Sequence, residues 1–130
     1  MSWESLTIMR SVTEFSDLTA EIREFAESRD WSQFHTVRNL VLAIAGEVGE
    51  LAAEVQWIST IELADALSEP SKRLAFEAEL ADVAIYVLRL ADVLGTDLSQ
   101  VIRAKLRVNE ERYPVEKSRG NALKYTELGD

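Results

Sequence analysis

The sequence predicts an all-α fold arranged like a four-helix bundle. Apolar residues recur at steps of three and four through four segments of the 130-residue chain, the spacing that puts them on one face of a helix. Start and stop signals separate these segments: Pro70 suits a first helical turn, Gly95 a C-terminal stop, Asp97 with Gln100 a capped start, and Pro114 an end. Two acid pairs, Glu47/Glu50 and Glu79/Asp82, share the same three-residue spacing inside apolar runs. On a helix each pair therefore lies on one face, beside a buried seam.

Composition narrows the class. A hydrophobic fraction of 47% and a charged fraction of 28% belong to a folded globular chain of one domain, spanning residues 1–130. A core of this length is sizeable but short for an enzyme that builds its whole site alone, so oligomerisation is expected. The start of the chain lacks the basic and apolar regions of a signal peptide, and its apolar runs are too short for a bilayer. With no Cys there is neither a disulfide framework nor a thiolate metal site, so a cytoplasmic location is expected. The net charge of −9 opposes binding to nucleic acid or an anionic membrane. A small phosphorylated ligand remains compatible, because a metal ion inverts the field of an acidic site.

The helical core is expected over about residues 13–113. Residues 1–12 show no clear period, although Trp3, Leu6 and Ile8 suit a packed arm. From Thr13 or Ser16, Phe15, Leu18, Ile22 and Phe25 mark one face of a first helix ending near Arg29. The connector 30–35 then carries Trp31, Phe34 and His35, rings that either plug the end of the bundle or face a ligand. A second helix is expected over 37–57, with Leu40, Val41, Ile44, Val48, Leu51 and Val55 as its buried stripe. Gly46 and Gly49 inside it cost roughly 1 kcal/mol each relative to Ala. They make room for a close neighbour, either another helix or a metal and its ligand. Trp57 closes this helix, and 58–70 reads as a connector with one short turn around 61–67.

The third helix starts after Ser68 or Ser71 and runs to Leu94, and its apolar positions nearly encircle it, which marks a central helix. Tyr86 lies one turn beyond Asp82 on the acid-bearing side. The fourth, after Asp97, places Leu98, Val101 and Ile102 on a stripe that continues as Lys105 and Asn109, followed by Arg112. Polar residues in those places either snorkel at an edge or are aimed at something. Residues 114–130 read as a polar tail.

Four carboxylates beside a seam repel one another and lose solvation, which a bound cation relieves. Oxygen-only ligands favour Mg²⁺ or Mn²⁺ over Ca²⁺. A ferritin-like dimetal bundle would need Glu-x-x-His motifs, but His35 is the single histidine and Ser32 precedes it by three. A non-catalytic acidic helical interaction module is the remaining alternative; it leaves the paired acids, Lys105 and Asn109 without a task.

Specific residues also carry a family resemblance. The run Arg29-Asp30-Trp31-x-Gln33-Phe34-His35-x-x-Arg38-Asn39-Leu40, then Gly46-Glu47-Val48-Gly49-Glu50-Leu51-Ala52 and Gln56-Trp57, resembles the dCTP pyrophosphatases among the MazG-like all-α nucleoside triphosphate pyrophosphohydrolases. The similarity continues through Glu79-Leu80-x-Asp82-Val83-x-Ile85-Tyr86, Lys105-x-x-x-Asn109-x-x-Arg112-Tyr113-Pro114 and Lys124-Tyr125-Thr126-Glu127-Leu128. It implies a dimer or dimer of dimers that hydrolyses a nucleoside triphosphate, dCTP or a modified dCTP, to the monophosphate and pyrophosphate with Mg²⁺. It further implies that Glu47, Glu50, Glu79 and Asp82 are the catalytic metal ligands. Trp31, His35, Trp57 and Tyr86 would line the base and sugar pocket, and Lys105, Asn109 and Arg112 would meet the phosphates, within one subunit or across a boundary. Relatives often carry an acid where this chain has Ala53, with Glu54 beside it, which leaves the metal count open.

Overall fold

The computed structural model describes residues 3–129, with side chains from Glu14 onward. Six α-helices follow in order: α1 (Trp3–Glu27), α2 (Val37–Ala53), α3 (Thr60–Ser68), α4 (Pro70–Leu94), α5 (Leu98–Arg112) and α6 (Val115–Ser118), with a 3₁₀ turn at Tyr125–Glu127. No described helix is long and apolar enough to cross a membrane. The chain forms two compact units, residues 1–96 and 97–130.

In the first unit α4 packs against α1, α2 and α3, as its nearly continuous apolar surface predicts. Its start is capped by Glu69, whose side chain accepts from the Ser71 and Lys72 backbone N–H groups, with Pro70 in the first turn. Its end is a Schellman motif: Gly95 adopts φ 68° while Thr96 N donates to Ala91 O at 2.9 Å and Gly95 N to Asp92 O at 3.0 Å. The same motif ends α1 with a non-glycine residue. Asp30 takes φ 55°, Trp31 N donates to Ala26 O at 2.9 Å and Asp30 N to Glu27 O at 3.0 Å. The apolar contact that accompanies this motif is Trp31 against Phe25, with ring centroids 5.7 Å apart.

Several expectations are corrected. The first helix begins at Trp3, ten residues before Thr13; the packing of the Trp3, Leu6 and Ile8 side chains lies outside the described residues. The second helix stops at Ala53, and turns carry the chain through Trp57. The connector, expected to hold one short turn around 61–67, holds the nine-residue helix α3, with Ser59 as its N-cap. There Ser59 Oγ accepts from Glu62 N at 3.3 Å and donates to Glu62 Oε2 at 2.8 Å. Of the stripe on α2, only Leu40 is buried; Val41 and Val48 are about half exposed. Among the described residues no other helix packs close to Gly46 or Gly49: an added Cβ would meet nothing within 4 Å at either.

In the second unit Asp97 caps α5 by accepting from Gln100 N at 3.1 Å. Val101 and Ile102, expected to be buried, are exposed. Residues 114–129 fold back within this unit. Tyr125 stands edge-on to Tyr113, with centroids 6.1 Å apart, and Lys117 Nζ donates to Gly129 O at 2.8 Å.

Candidate active site

Three carboxylates converge in the first unit. Glu47 on α2 and Glu79 and Asp82 on α4 each offer an oxygen within 4.8 Å of the others. Glu47 and Glu79 are half-buried and Asp82 is exposed. Burial, then the negative charges of Glu47, Glu50, Asp82 and Glu54, push the Glu79 carboxyl above its ordinary range. Such a site favours a cation, and an all-carboxylate donor set fits a hard divalent ion. Glu50 contributes to this field from the exposed side of α2 but not to the converging group. Glu54 is engaged elsewhere, paired with Lys72 Nζ at 2.8 Å.

The aromatic connector is built rigidly. Thr36 caps α2 through Asn39 N at 3.1 Å, and Asn39 Nδ2 donates to Phe34 O at 3.0 Å. His35 N donates to the carbonyls of Trp31 and Ser32, both at 3.2 Å. The His35 ring sits edge-on to Trp31, with centroids 6.5 Å apart. Burial, and secondarily the charge of Arg89, hold the His35 imidazole below its usual value.

Arg89 was not among the residues singled out from sequence, nor were Arg23 and Asp92. Arg89 is buried at 6% exposure. Its Nε donates to His35 Nδ1 at 3.0 Å, Nη1 to Asp92 Oδ2 at 2.9 Å and Nη2 to Ser32 Oγ at 3.4 Å. Asp92 in turn accepts from Arg23 on α1. An arginine and an aspartate three apart in the otherwise largely apolar C-terminal half of α4 are the available signal.

Glu79, Asp82, Tyr86 and Arg89 follow one another on α4 at steps of three, four and three, so one face carries the acids, a half-buried tyrosine and the anchor of His35. The helical rise puts Asp82 and Arg89 about 10 Å apart along the axis. Trp57 stands free at 89% exposure.

Lys105, Asn109 and Arg112 lie on α5 in the second unit. Lys105 is exposed and Asn109 half-buried; the Arg112 guanidinium lies over the Tyr125 ring, 4.7 Å from its centroid.

Comparison with known proteins gives this arrangement a family. Residues 42–128 match the sequence profile of the MazG-like family. The chain belongs to the MazG-like family. It is 50% identical over 105 residues to dCTP pyrophosphatase 1 of Mus musculus and 46% identical to that of Homo sapiens, the match covering 81% of this chain. This MazG-like chain spans 62% of the length of those curated relatives. A pyrophosphatase crystal structure from Archaeoglobus fulgidus superposes with a TM-score of 0.73 at 36% identity, covering 78% of this chain and 93% of that one.

Proposed function

We propose that this MazG-like chain is a nucleoside triphosphate pyrophosphohydrolase that converts dCTP, or a modified dCTP, to the monophosphate and pyrophosphate in the cytoplasmic nucleotide pool. The observation that carries the reading is the single face of α4, with the acids Glu79 and Asp82 at one end and the Arg89 anchor of His35 at the other. About 10 Å between them suits a nucleoside whose base is held near His35 and whose α-phosphate reaches the carboxylates. The relatives named dCTP pyrophosphatase 1 support the same substrate class.

Glu47, Glu50, Glu79 and Asp82 are assigned to hold the divalent ion, Mg²⁺ with Mn²⁺ as a substitute. When bound, such an ion neutralises charge at phosphate oxygens and acidifies a water for attack. Trp31, His35, Trp57 and Tyr86 are assigned to the base and sugar, where stacking on an aromatic ring contributes about 1–3 kcal/mol per base. Lys105, Asn109 and Arg112 are assigned to the distal phosphates on their chemistry and sequence pattern. Their cationic and amide groups stabilise negative charge on departing pyrophosphate.

The exposed Ile61 and Leu74 support association of copies into a homo-oligomer, a dimer of dimers, with residues 1–130 acting as one domain. No nucleic acid or membrane partner enters this reading.

Hydrolysis of dCTP in ¹⁸O-labelled water tests it. Attack at the α-phosphorus places the label in the monophosphate. Orthophosphate as first product would reject the assignment.

A further inference from the structure

We propose that Arg89 is a positioning residue that holds His35 in its Nε2–H tautomer, so that this ring meets the nucleotide only as a hydrogen-bond donor. A guanidinium has no acceptor and never gives up its proton in a protein. The 3.0 Å contact from Arg89 Nε therefore requires a lone pair on His35 Nδ1. With one ring nitrogen accepting, the neutral ring carries its hydrogen on Nε2.

The surroundings keep that state in place. Arg89 is buried and fixed at three points, by His35, Asp92 and Ser32. Two guanidiniums, Arg23 and Arg89, share the one carboxylate of Asp92, and the Arg89 charge is the one that faces His35. Protonating Nδ1 would set an N–H against an N–H beside that charge. Trp31 meets the ring edge-on, and the backbone N–H of His35, bonded to the Trp31 and Ser32 carbonyls, fixes the main chain that carries it.

The donor role toward substrate rests on the proposed nucleotide pocket and sharpens it. A nucleobase edge or sugar oxygen with a lone pair satisfies Nε2–H, whereas a donor placed there leaves two hydrogens opposed. A site built to donate rejects a ligand group that cannot accept.

His35 is the sole histidine of the chain, so ¹⁵N NMR of histidine-labelled protein reads this ring alone. The wild type at neutral pH is expected to show a pyridine-like Nδ1 and a pyrrole-like Nε2. Arg89→Met keeps the apolar stem and leaves Asp92 paired to Arg23; it is expected to shift Nδ1 toward an unbonded nitrogen and raise the histidine titration midpoint. Stability loss alone would change neither. A wild-type proton on Nδ1, or a midpoint unchanged in Arg89→Met, overturns the proposal; if that variant does not fold, the wild-type spectrum decides. Adding the uncleavable α,β-methylene analogue of dCTP is expected to move Nε2 and leave the tautomer unchanged. If Nε2 stays still, the donor role is overturned, while the reaction itself is decided separately by product analysis. Arg89→Met is further expected to raise KM about tenfold, the loss of one well-made hydrogen bond, with kcat changed far less.

Discussion

Arg23 and Asp92 join α1 to α4 through two parallel hydrogen bonds, Nε to Oδ2 at 2.9 Å and Nη2 to Oδ1 at 2.5 Å. The bond from Arg23 is the main cause that holds the Asp92 carboxyl below the usual carboxylate range, against its burial and with the help of both guanidinium charges. A lowered folded value means stability that is present above the unfolded value, about 3.9, and is lost as pH falls through the folded one. Asp92→Asn is expected to cost roughly 2–3 kcal/mol near pH 7, because it strands the buried Arg89 charge. Denaturant unfolding from pH 7 down to about pH 2 should show the variant losing less stability on acidification than the wild type. Parallel curves would remove Asp92 from the acid response.

A divalent ion is expected to stabilise the folded chain, since Glu47, Glu79 and Asp82 crowd oxygens within 4.8 Å. At a hundredfold excess over Kd, mass action gives about 2.7 kcal/mol. Glu79→Gln removes one of the repelling charges, so it is expected to raise the melting temperature without metal and to abolish the increment from Mg²⁺ or Mn²⁺. Thermal melts in which the wild type ignores both ions would rule out the metal site.

Trp57→Ala is expected to leave stability within about 0.5 kcal/mol, as for other exposed positions. It is expected to relax selection among bases by roughly 1–3 kcal/mol, the contribution of one stacking ring. Competition assays with the four deoxynucleoside triphosphates check this. An unchanged ranking in both Trp57→Ala and His35→Ala would place the base pocket elsewhere.

Gly46→Ala and Gly49→Ala meet no intrachain clash, so each is expected to stabilise α2 by about 1 kcal/mol. Nucleotide binding is expected to weaken in both, because the bare backbone lies beside Glu47 and Glu50. Chemical denaturation with KM measurements separates the two effects, and a loss of stability would contradict the open space seen at both positions.

How much was legible in the sequence differs by element. The capping signals of Pro70, Gly95 and Asp97 were readable because they act within one turn of the chain. The N-cap at Ser59, with Glu62 three residues on, was equally local and was passed over, so α3 was read only as one short turn around 61–67. The start of the first helix lacked an apolar period, and the Trp31 turn ends α1 with Asp30 at positive φ where glycine is usual.

The sequence by itself determined the all-α class, the end signals of α4 and α5, and the acid pairs, since periodicity and capping depend on neighbours three or four residues away. Only the tertiary structure decided that Glu47 joins Glu79 and Asp82 while Glu54 pairs with Lys72. It also decided that Arg89 reaches His35 across 54 positions, and that Arg23 and Arg89 share one carboxylate. Such contacts arise when packed helices bring distant residues together and the buried polar groups must find partners, a demand that no local pattern records.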